Sequence, residues 1–170
     1  MNNLSKVSYR VRFVLIFCLV LLAVFGRAQP KTNKTYPKDS VIKVQIIDPL
    51  EQAAADKGEA PDWNELHQQI SAKYDTAFAS RLVNKAQIYY DYGKDWPAFT
   101  MALVRYTEKY EDHDNLPLLN KNADMIAQFS TNPKELQIAL TWSKHILEKD
   151  PSNSSYRKTF DSLTAKLRAK

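Results

Sequence analysis

Asn132-Pro133-Lys134-Glu135-Leu136-Gln137-Ile138-Ala139-Leu140-Thr141-Trp142-Ser143-Lys144-His145-Ile146-Leu147-Glu148-Lys149-Asp150-Pro151 reads as one bounded helix. Asn132 caps it, Pro133 suits the first helical position, and Glu135 stands where a capping-box carboxylate reaches back to the cap's own N–H. Leu136, Ala139, Leu140, Ile146 and Leu147 return at three- and four-residue steps and make one apolar stripe. A helix of this length is marginal alone in water, so the stripe needs a neighbour.

The neighbours lie upstream and downstream. Asp62 caps a helix whose face is Trp63, Leu66, Ile70 and Tyr74, and Asp75 caps the next, with Phe78, Leu82, Ala86 and Tyr89. Gly93-Lys94 stops that helix, and Asp95 restarts the chain with Pro97 in the first turn. Phe99, Ala102, Leu103, Tyr106 and Tyr110 form the third stripe, and Glu111 to Asn115 a loop. Leu116, Leu119, Ala123, Ile126 and Phe129 form the fourth, and Tyr156, Phe160, Leu163 and Leu167 a sixth after the opening helix. Short connections between helices of this length force antiparallel neighbours.

Slid by 37 residues, the chain matches itself without a gap. Leu82, Ala86, Ala102, Leu103 and Glu111 fall on identical residues at Leu119, Ala123, Ala139, Leu140 and Glu148. Tyr89, Tyr92, Phe99, Met101 and Tyr110 fall on Ile126, Phe129, Leu136, Ile138 and Leu147. Amphipathic helices match apolar residues by coincidence, but the repeated small residue Ala102/Ala139 and the aligned helix ends favour a true repeat.

Residues 1–28 read as a leader. Lys6, Arg10 and Arg12 precede an unbroken apolar run from Phe13 to Phe25, and Gly26 and Ala28 supply the small residues a signal peptidase inspects. A run of this length rises only about 20 Å as a helix, short of the roughly 30 Å hydrocarbon core. A cleaved export signal is therefore expected, with Gln29 as the first mature residue and the membrane met only through the uncleaved leader. Phe17 before Cys18 argues against a lipidated cysteine. Residues 29–60 read as a flexible, proline-punctuated linker in which Val41 to Ile47 forms a short strand or an extended, irregular segment lying on the helices. Residues 61–170 form the helical repeat domain.

Of 24 basic residues, Lys6, Arg10, Arg12 and Arg27 leave with the leader, so the exported part holds 20 basic against 19 acidic residues. Such balance gives no reason to expect nucleic-acid binding. The sole cysteine also leaves, which excludes a disulfide or thiol chemistry in the mature chain. His67, His113 and His145 lack the spacing of a zinc set, and the acidic run Glu111 to Asp114 lacks the glycine bend of a calcium loop. Three glycines make no phosphate-cradling loop, and no serine sits in a nucleophile elbow. No catalytic residue, cofactor or metal is expected. Helical spacing assigns Tyr89, Phe99, Tyr106 and Tyr110 to the core; Tyr90, Tyr92 and Trp96 gather at a helix end and are the candidate partner-binding residues.

Two resemblances bear on this reading. Ala139 followed twelve residues later by Pro151, through Leu140, Ile146 and Asp150, resembles the second helix of a tetratricopeptide repeat and the Asp-Pro that ends it, with Ala127 in the small-residue place of the preceding helix. Ser143 and Ile146 depart from that family's preferences. The resemblance implies an all-α fold of antiparallel helix hairpins stacked as a short right-handed solenoid. Lys73-Tyr74, Ala86-Gln87-Ile88-Tyr89-Tyr90, Lys94-Asp95-Trp96-Pro97-Ala98-Phe99 and Ala139-Leu140-Thr141-Trp142-Ser143-Lys144 are similar to the helical C-terminal region of exported bacterial thioredoxin-fold proteins. This chain has no Trp-Cys-x-x-Cys, so what is implied is the appendage without the enzyme. The expected function is a non-enzymatic, periplasmic or extracytoplasmic scaffold that binds an envelope protein or peptide. The alternative is an accessory module of a separately encoded thioredoxin-fold oxidoreductase.

Overall fold

The computed structural model describes residues 36–169, and every regular element among them is helical. The leader and the start of the linker lie outside the described residues. The elements are α1 (Asp39–Ile42), a π-helical turn (Lys43–Ile47), α2 (Asp48–Ala55), α3 (Trp63–Lys73), α4 (Thr76–Asp91), α5 (Trp96–Tyr110), α6 (Leu116–Phe129), α7 (Pro133–Lys149) and α8 (Ser154–Arg168).

The segment Val41 to Ile47 is a correction to the extended or strand reading, because it is the middle of a helix. Its β-branched residues have no second strand to pair with among the described residues, and strand preference without a partner is weak. Packing decides instead. Ile42 and Ile47 are both buried against Leu66, Ile70, Phe78, Ala79, Leu82, Val83 and Ala86. Five residues apart on an α-helix they would point about 140° away from each other; the wider π turn brings them to one side.

From α3 onward the boundaries follow local chemistry. Asp62, Asp75, Asp95, Asn115, Asn132 and Asn153 each accept first-turn backbone N–H bonds, relieving donors that have no partner inside the helix. Gly93 takes a φ of 78° between α4 and α5, a conformation that costs glycine little. The α7 cap differs in detail from a capping box. Ser130 Oγ donates to Glu135 and accepts from Asn132 N–H at 3.0 Å, so the buried carboxylate reaches the cap's backbone N–H through a hydroxyl relay while accepting directly from the Asn132 side-chain amide at 3.3 Å.

Each of α3 to α7 packs on the next helix, and α5 also meets α7 and α6 meets α8. One apolar cluster joins α1, the π turn, α3 and α4; a second joins α5 to α8 around Phe99, Leu119, Ile126, Leu136, Ile146 and Leu163. Polar bonds tie the second cluster. Asn122 Nδ2 donates to Thr107 Oγ1 at 3.0 Å, Trp142 Nε1 to Glu108 at 2.6 Å, and Lys166 Nζ to the Ala127 carbonyl at 2.8 Å near the end of α6. At 37-residue spacing, Leu82 and Leu119, Ala86 and Ala123, Ala102 and Ala139, and Leu103 and Leu140 are all buried. Tyr89 breaks the pattern. It is 66% exposed where Ile126 is fully buried, a correction to its assignment to the core.

Candidate functional site

Tyr89 is exposed because the buried stripe of α4 runs out into a groove. A cavity of about 440 Å³ lies between the first helical segment and the C-terminal half of α4. Its apolar surface comes from Ile47, Leu82 and Ala86; Ser40, Tyr89 and Tyr90 add hydroxyls; and Asp39, Lys43, Glu51, Lys85 and Lys94 add charge. That volume lies in the range of small-ligand sites.

The groove exists because Asp39 anchors its first wall to its second. Arg81 donates through both terminal nitrogens to the Asp39 carboxylate, at 2.6 and 2.9 Å, and Lys85 Nζ adds a bond at 3.1 Å. Two cations one helical turn apart on α4 thus hold one carboxylate, a forked, charge-assisted geometry. The Arg81 hydrogen bond, opposed by burial and aided by Lys85, holds the Asp39 carboxyl down at about 2. Burial pulls the Lys85 ammonium down, but the Asp39 bond and the nearby Tyr106 and Tyr89 more than reverse this and leave it raised.

The remaining charges are placed differently. Lys43 pairs with Asp48 one turn along its own helix. Lys94 makes no ion pair among the described residues; its ammonium stands 3.8 Å from the centre of the Tyr90 ring, a cation–π contact. Tyr90 is held in turn by the Trp63 ring, edge-on at 5.4 Å. Burial pushes the Glu51 carboxyl up, while Lys43 and Lys94 pull it back.

The sequence-derived trio therefore divides. Tyr90 lines the groove. Tyr92 and Trp96 instead join Phe99 and Phe129 in an aromatic cluster, where Trp96 stacks on Phe129 at 4.0 Å and 4° and Tyr92 meets three rings edge-on at 5.3 to 6.4 Å. Trp96 is a packing residue here, while Tyr92 keeps 52% of its surface exposed. Sequence reasoning missed Asp39, Lys43 and Glu51, which fell in the expected linker, and Lys85 and Lys94, which look like ordinary solvated lysines. The basic pair Arg81 and Lys85 at helical spacing was the one available signal, and nothing in sequence ties it to Asp39.

Two of the histidines are hydrogen-bonded by neighbours, and the buried Nε2 of His145 has no hydrogen-bond partner among the described residues. His67 Nε2 meets Ser80 Oγ at 3.0 Å, His113 Nε2 meets the Thr107 carbonyl at 3.2 Å, and His145 lies 3.9 Å from Asp114. Among the described residues no group of three or more His, Cys, Asp or Glu is placed to hold a metal, and no helix is long and apolar enough to cross a membrane. No family model, curated protein or solved structure matches this chain.

Proposed function

We propose that this chain is an exported, non-enzymatic helical-repeat protein that serves as an interaction scaffold in the cell envelope, its groove receiving a segment of a partner protein. In this reading α3 to α8 form antiparallel hairpins stacked as a short tetratricopeptide-like solenoid. The equivalent buried alanines at 102 and 139, and the contacts of α5 with α7 and α6 with α8, support it. The observation that carries the functional reading is the groove itself. It combines an apolar floor, a charged rim and a tyrosine exposed at its mouth, the composition of a recognition site.

The test is site-specific crosslinking in the producing cell. A photo-crosslinking amino acid at position 89, in the mouth of the groove, should give one discrete adduct, and one at the exposed position 158 on α8 should give none. Equal labelling at both positions, or none at either, would overturn the scaffold reading. Recovery of a thioredoxin-fold oxidoreductase in the adduct would select the accessory-module form of the same proposal.

A further inference from the structure

Resting on that reading, we infer that the groove recognises the C-terminal end of a peptide chain, seating an apolar last side chain on Ile47, Leu82 and Ala86 and the free carboxylate on Lys94. Charge complementarity is the first argument. The lining holds three ammonium groups, Lys43, Lys85 and Lys94, against two carboxylates, Asp39 and Glu51. Asp39 is already met by both Arg81 and Lys85, and Lys43 by Asp48, so those charges are committed. Lys94 is the lining cation with no hydrogen-bonded carboxylate among the described residues: its ammonium lies over the Tyr90 ring, and Glu51 and Asp91 act on it only as nearby charges. A carboxylate arriving at its ammonium keeps the cation–π contact and adds a charge-assisted hydrogen bond.

The second argument is the nearness of unlike surfaces. An anion and an apolar group must be met within one cavity of about 440 Å³, and a chain terminus carries both on a single residue. The aliphatic lining is three side chains, Ile47 on one wall and Leu82 and Ala86 on the other, which suits one side chain rather than an extended acyl tail. Ser40 and the tyrosine hydroxyls offer partners for the peptide backbone beside it. Glu51 opposes the incoming charge, and it sets the sign of one variant below.

Fluorescence anisotropy on the purified protein tests the inference, with fluorescein-labelled hexapeptides ending in leucine as probes, one with a free carboxylate and one amidated. The acid should bind at least about tenfold more tightly than the amide, as expected for one charge-assisted bond. Lys94→Gln should erase that difference while leaving the melting temperature unchanged, and Glu51→Gln should tighten the acid by a few-fold. Equal binding of acid and amide, weakening by Glu51→Gln, or no binding of either peptide would overturn carboxylate recognition. Octanoate displacing the peptide at lower concentration than the peptide itself would overturn the choice of a chain end over a lipid acid. If these fail while the position-89 adduct forms, the chemistry assigned to the partner is wrong and the scaffold stands; without the adduct, both fall.

Discussion

Replacing Asp39 with asparagine should loosen the first helical segment without unfolding the rest. The segment is weakly held. Ile42 and Ile47 are its buried residues, α2 contributes none, and Gly58 lies in the connection that follows. The Asp39 carboxyl is held at about 2, below the ordinary carboxylate value. At about 1.4 kcal/mol per tenfold change in proton affinity, that displacement is worth at most about 2.5 kcal/mol. The three side chains are 30 to 36% exposed, so solvent screening reduces the contribution to about 1 kcal/mol. Asparagine keeps the shape but loses the charge, so the segment should open about fivefold more often. Hydrogen exchange reads this directly: protection factors across residues 41–55 should fall by about that factor, with α6 and α7 unchanged. Because the carboxyl's value is depressed on folding, the same stabilisation is present in the wild type above pH 4 and is lost as pH falls toward 2. Unchanged protection in residues 41–55, or an equal loss in every helix, would refute the anchoring role.

Other positions carry expectations of their own. Ala139 is fully buried among Phe99, Leu136 and Trp142, so Ala139→Phe should destabilise by about 1–3 kcal/mol in a urea melt, whereas Met101→Phe on the exposed face should change little. Trp96→Ala removes the ring stacked on Phe129 and should cost about 2–3 kcal/mol, and Tyr92→Ala less; a melting temperature unmoved by Trp96→Ala would restore Trp96 as a free binding residue. Glu135→Ala leaves the Ser130 hydroxyl and the Asn132 amide without their acceptor and should cost about 1–2 kcal/mol by the same melt.

The helices from Trp63 onward were legible because three signals agree there: a 3.6-residue apolar period, a side-chain cap at each start and a stop residue at several ends. Asp62, Asp75, Asp95 and Asn132 could be named as caps because their acceptor oxygens precede the first apolar residue of each stripe. Asp39 to Ala55 was not legible for the converse reason. Its π turn breaks the 3.6 period between Ile42 and Ile47, and its isoleucines and valines carry strand preference. The groove was hidden with it, since one wall was read as linker. Tyr89 was misplaced because helical spacing says which residues share a face, but not where along that face the covering helix ends. The split between Tyr90 and the pair Tyr92 and Trp96 was equally invisible. Three aromatics within seven positions look like one patch, but Tyr90, still inside α4, meets Trp63, while the chain leaves the helix at Tyr92 and the turn at Gly93 brings Trp96 back beside it.

The most direct measurement of the central claim is hydrogen exchange on the purified protein alone and bound to the partner recovered through position 89. Binding in the groove should protect residues 39–51 and 82–94 together, since these form its two walls. Protection confined to the aromatic cluster of Tyr92, Trp96 and Phe129, or to α7 and α8, would contradict it.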